Sequence, residues 1–142
     1  MLLIFSDALC FFPAVKIRLS ICATIEQLIS AGKLMRNICQ PKFKLPDEVA
    51  DELKKGQISD DTNVKCYVNC LLEMSQLVRK GKIQEEVIKK QIELMVPDEL
   101  KPQYERGMHQ CKDSANGIKN ACEVSYALMK CLFKEVPDFI FP

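Results

Sequence analysis

The cysteines constrain what this chain can fold into more than any other feature. Eight occur among 142 residues, at Cys10, Cys22, Cys39, Cys66, Cys70, Cys111, Cys122 and Cys131. A structural zinc site needs four thiolate or imidazole ligands, usually as two short-spaced pairs. Only one such pair is present, Cys66 and Cys70 in CYVNC, and His109 is the sole histidine. A dithiol redox site prefers CxxC at a helix start after a strand, and that pattern is also missing. Structural disulfides are the reading left, and they belong to an oxidising compartment.

Residues 1–23, MLLIFSDALCFFPAVKIRLSICA, fit that compartment. The segment is short, apolar and ends in small residues, as a secretory signal does, with cleavage expected after Ala23. It is an atypical signal, because no basic residue precedes Leu2, and Lys16 and Arg18 interrupt the apolar run. The alternative is a first helix buried in the domain. A membrane anchor would need about 18 to 20 uncharged apolar residues in succession, and no stretch supplies them.

Cleavage would remove Cys10 and Cys22 and leave six cysteines, an even number in an exported chain. It would also take Lys16, Arg18 and Asp7 from 20 basic and 19 acidic residues, leaving eighteen of each. A near-neutral chain whose lysines alternate with acidic residues, as in QEEVIKK, predicts no nucleic-acid partner. With 48% apolar residues, few glycines and no serial alternation of apolar and polar residues, one all-α domain spanning residues 24–142 is expected.

Six helices can be read along it. Thr24 is placed to cap the first with Gln27 as capping-box partner, and Ile25, Leu28, Ile29, Met35 and Ile38 form its stripe. The second starts at Pro46 and stops at Gly56. The third is expected from Thr62 to Lys80, with Gly81 as its stop, and the fourth runs from Ile83 up to Pro97. A mostly polar fifth spans Pro102 to Ala115. The sixth, Ile118 to Lys134, is apolar around most of its circumference and so belongs in the middle.

Six cysteines allow fifteen pairings. Side chains four apart on a helix run roughly parallel, so Cys66 and Cys70 reach outward to other elements more readily than to each other. Cys122 and Cys131, nine residues apart at about 100° per residue, lie on opposite sides of the sixth helix. Several pairings stay open on geometry alone.

The spacing itself resembles that of the insect odorant-binding proteins, the pheromone and general odorant-binding family. Three residues separate the second and third cysteines and eight separate the fifth and sixth, and the gaps of 26, 40 and ten also fit. CQPKFKLP, KCYVNC, GMHQCKD and the closing FIFP are similar to the LUSH-like branch of that family. The resemblance implies pairings of Cys39 with Cys70, Cys66 with Cys122 and Cys111 with Cys131. It implies a compact six-helix domain around an internal apolar cavity that carries a small hydrophobic ligand, such as an odorant, pheromone or fatty compound, through extracellular fluid.

By alignment to the cysteines, the cavity wall is expected at Val68, Leu72, Leu77, Ile83, Ile92, Met95, Ser125, Met129, Leu132 and Phe141. Ser125, Ser75 or Tyr126 would orient one polar group; ordinary helix hydroxyls bonded to backbone are the plainer reading of all three. The tail from Val136 to Pro142 is apolar where termini are usually polar, and it is expected to fold back over the cavity, with cover of the outer core as the alternative. The partners implied are the ligand and a chemosensory receptor, on a monomer or weak homodimer without stable membrane insertion. No enzyme, metal or cofactor is expected, since His109 sits on the polar fifth helix without a second histidine or a Gly-rich acidic loop. The rival class is a saposin-like or antimicrobial lipid-interacting protein, although its usual cysteine spacing differs and a basic face is absent.

Overall fold

The computed structural model describes residues 25–142, and the proposed signal, Cys10, Cys22 and the Thr24 cap fall outside them. Six helices and one short hairpin make up the described chain: α1 (Ile25–Lys42), α2 (Asp47–Lys54), α3 (Thr62–Met74), β1 (Val78–Arg79), β2 (Lys82–Ile83), α4 (Glu85–Met95), α5 (Lys101–Cys111) and α6 (Ala121–Glu135). Three disulfides cross-link them, Cys39–Cys70 from α1 to α3, Cys66–Cys122 from α3 to α6, and Cys111–Cys131 from α5 to α6. α4 carries none.

Helix ends follow local chemistry. Asp61 caps α3, its Oδ1 accepting from the Asn63 amide at 2.8 Å, and Asn120 caps α6 by accepting from Glu123 N at 3.1 Å. That cap starts α6 at Ala121, three residues after the expected Ile118. α2 closes in a Schellman motif: Gly56 at φ +83° donates to Leu53 O, and Gln57 N donates to Glu52 O.

α3 ends the same way, six residues short of the expected Lys80. Gln76 N donates to Glu73 O and Leu77 N to Leu72 O, which forces Gln76 to φ +61°. No glycine marks that left-handed position, and the helical pattern of apolar residues continues past it in the sequence. Beyond it the chain pairs Val78 with Ile83 across a two-residue loop, Lys80 and Gly81, both at positive φ. Ile83 therefore belongs to a strand, and α4 begins two residues later than expected. α5 ends at Cys111, before the expected Ala115.

α3 and α6 pack together more extensively than any other pair of described elements. Val68, Leu128 and Met129 are fully buried in the core, and Ser125 Oγ donates to Asn69 Oδ1 at 2.7 Å to join the two helices. At the outer edge of this seam Lys65 pairs with both Asp60 and Glu123 at 2.8 Å and lies over the Tyr126 ring. Arg36 ties α1 to α2 through Asp51 at 2.7 Å.

Candidate functional site

Beside the last turns of α3 an apolar cavity of about 190 Å³ lies between α1, α3, α4, α5, α6 and the C-terminal tail. α1 contributes Leu28, Ile29, Ala31, Gly32 and Met35; α3 and its exit contribute Leu71, Leu72, Ser75 and Leu77. Ile88, Gln91, Ile92, Met95 and Val96 come from α4, Tyr104 and Met108 from α5, and Leu132 from α6. Residues 139–142 supply the remaining wall, with the Lys54 side chain at the α2 edge.

The tail is held by packing that requires glycine at two positions. A Cβ on Gly107 would lie 2.2 Å from Val136 Cγ2, and one on Gly32 would lie 2.9 Å from the Pro142 side chain. Between these contacts, Ile140 N donates to the Tyr104 hydroxyl at 2.9 Å, and that hydroxyl faces Asp138 O at 3.4 Å. Burial raises the Tyr104 phenol above its ordinary value, so it remains a neutral hydroxyl that the backbone can use. Phe133 meets Phe139 edge-on at 5.2 Å and Phe141 at 5.9 Å, and Phe141 is only 3% exposed.

Of the ten expected wall residues, Leu72, Leu77, Ile92, Met95, Leu132 and Phe141 line this cavity. Val68, Ile83, Ser125 and Met129 do not. Val68, Ser125 and Met129 are consumed by the α3–α6 core, and Ile83 by the hairpin. Tyr126 faces Lys65 and Lys130 on the outside of α6, so of the three candidate hydroxyls only Ser75 reaches the wall. Its Oγ bonds back to Leu71 O at 3.0 Å and Leu72 O at 3.1 Å. The α1 residues, Gln91 and Met108 were not expected there. α1 showed a clear apolar stripe, but a stripe facing a cavity and one facing a packed neighbour have the same periodicity.

A second depression, about 460 Å³, lies over the hairpin and is lined by Glu73, Gln76, Arg79 and Lys80 among others. It is open and polar, so an apolar molecule would gain little by leaving water there. No group of acidic, histidine or cysteine side chains among the described residues is arranged to hold a metal ion, and no described helix is long and apolar enough to cross a membrane.

Comparison with known proteins agrees with this architecture. The PBP/GOBP family model matches residues 23–135. General odorant-binding protein 72 of Anopheles gambiae is 44% identical over 119 residues, covering 84% of this chain and 98% of that protein. General odorant-binding protein 19a of Drosophila melanogaster is 47% identical over 122 residues, covering 84% of each. The crystal structure of odorant binding protein 4 from Chrysopa pallens superposes with a TM-score of 0.77 at 32% identity, covering 84% of this chain and 98% of that one.

Proposed function

Because the chain belongs to the PBP/GOBP family, whose members bind small hydrophobic ligands, we propose that it is a secreted carrier that holds one such ligand in the cavity beneath the tail. The apolar cavity is the observation that supports this reading. Apolar cavities of about 150 Å³ stay dry and take up a benzene-sized guest. At about 190 Å³ this one suits an extended molecule of roughly seven to nine non-hydrogen atoms on the same scale, the size of a medium-chain volatile.

Binding would be driven by moving the ligand's hydrocarbon out of water, at about 25 cal/mol per Å². Leu72, Leu77, Ile92, Met95, Leu132 and Phe141 would contact it, and the tail would shield it from solvent. Residues 1–23 would direct export and be removed. No catalytic step is assigned, since His109 is exposed on α5 and is not on the cavity wall.

Displacement of a hydrophobic fluorophore from the oxidised protein by medium-chain alcohols, aldehydes, esters and acids tests the proposal. Micromolar dissociation constants, about −8 kcal/mol, are expected. A folded, helical protein that binds no apolar probe would refute it. Leakage from dye-loaded vesicles at the same protein concentrations would instead point to a lipid-disrupting protein.

A further inference from the structure

We propose that Gln91, positioned through Ser75, turns one end of the cavity into an acceptor-rich subsite that selects ligands with a hydroxyl donor, medium-chain alcohols over aldehydes, esters or carboxylates. This rests on the carrier reading and adds the chemical class of the cargo.

The polar side chains of the cavity wall are Lys54, Ser75, Gln91 and Tyr104. Gln91 Nε2 lies 2.7 Å from Ser75 O at the end of α3. A backbone carbonyl can only accept, so the amide must turn its nitrogen toward Ser75, which fixes its orientation. Gln91 Oε1 and the second N–H are left without a partner in the described protein.

The Ser75 hydroxyl has one proton, already directed to Leu71 O and Leu72 O, so toward a ligand it can only accept. Tyr104 is committed to the tail, accepting from Ile140 N and turned toward Asp138 O. Lys54 is exposed, and its ammonium is solvated at the α2 edge. Two free acceptors, Gln91 Oε1 and Ser75 Oγ, thus face a single neutral donor, the remaining amide N–H.

An alcohol satisfies both kinds of group, donating to an acceptor and accepting from the amide. An aldehyde or ester can only accept, and it would cover Gln91 Oε1 without replacing its water. A carboxylate would lose hydration beside two acceptors with no buried cation to compensate.

Fluorophore displacement from the oxidised full chain by octanol, octanal and octanoate, repeated with Gln91→Met, Ser75→Ala and Lys54→Met, tests the subsite. Wild type should bind octanol about tenfold more tightly than octanal. Gln91→Met keeps the side-chain volume and should erase that preference by weakening octanol more than octanal. Ser75→Ala leaves the Gln91 bond to the backbone intact and should weaken octanol about twofold to threefold.

Equal wild-type affinities for octanol and octanal would overturn the proposal, and they can be measured even if Gln91→Met fails to fold. So would a preference that survives Gln91→Met, or tight octanoate binding that Lys54→Met abolishes. If none of the three ligands displaces the probe, the carrier reading itself has failed, which is a different result from loss of selectivity.

Discussion

Two successive stretches of α3 are built on opposite rules. Toward α6, Cys66–Cys122 brings the backbones to a Cα separation of 4.6 Å, Ser125 bonds Asn69, and the surrounding Val68, Leu128 and Met129 exclude solvent completely. One turn further on, the same helix presents Leu71, Leu72 and Ser75 to the cavity, whose opposite wall is α4, a helix without a cysteine. The filled stretch holds the fold together, and the stretch along the cavity is available to a guest.

The contrast has an energetic basis. At about 24 cal/mol per Å³ for an enclosed space, a partly open cavity of 190 Å³ forgoes at most about 4 to 5 kcal/mol of packing. A disulfide contributes about 2 to 4 kcal/mol, so one or two bridges offset the cavity without filling it. Staples and a hole are therefore parts of one solution. Cross-links let a small domain stay folded around space that a simple core would close.

Removing the strongest staple should have the largest effect. The Cys66→Ala, Cys122→Ala pair opens a loop with a sequence separation of 56, against 20 for Cys111–Cys131. Chain entropy puts the losses at about 4 and about 3 kcal/mol. Denaturant unfolding of the paired mutants would rank them, and a smaller loss for the longer loop would show that loop closure is not the main term.

Methionines on the two sides allow a direct comparison. Met129→Ala in the filled seam should cost about 2 to 5 kcal/mol, with ligand affinity of the folded fraction unchanged. Met95 is 40% exposed, and Met95→Ala should cost less than about 1 kcal/mol while weakening ligand binding. Equal stability losses at both positions would erase the distinction between seam and cavity.

The tail can be displaced without touching the seam. Gly107→Ala places a methyl against Val136 and should cost about 1 to 3 kcal/mol, with faster ligand release in stopped-flow displacement. A chain ending at Val136 should keep its helices and disulfides yet bind more weakly. Unchanged affinity and off-rate in that truncation would reduce the tail to outer packing.

Tyr104→Phe is the smallest change. It removes the acceptor for Ile140 N and should cost about 0.5 to 1.5 kcal/mol, with a severalfold rise in off-rate as the readout. The phenol is held neutral by burial, so its bond to the tail should be insensitive to pH through the neutral range, which a pH series of off-rates in wild type and Tyr104→Phe would check.

The amino-acid sequence by itself determined the class of molecule. Six cysteines at these intervals, helical periodicity in every long segment and the absence of a metal-ligand set pointed to a stapled helical domain, because those signals depend only on local spacing. The start of α3 at Thr62 was legible and the end of α2 was marked by Gly56, whereas the start of α6, capped by Asn120, was not. The end of α3 was not legible either, because Gln76 takes the left-handed conformation as its N–H donates to Glu73 O and that of Leu77 to Leu72 O, which no residue type advertises. The hairpin after it, and with it the place of Ile83, was lost for the same reason.

Tertiary structure alone decided which apolar side chains face space and which face each other. Val68 and Leu72 are one turn apart on the same helix and both buried in the core, yet only Leu72 also lines the cavity. Burial rewards both alike, so nothing in their chemistry separates them. The separation comes from where α6 and the tail lie, which is set by a disulfide on one side and by the close approach of the tail to Gly32 and Gly107 on the other.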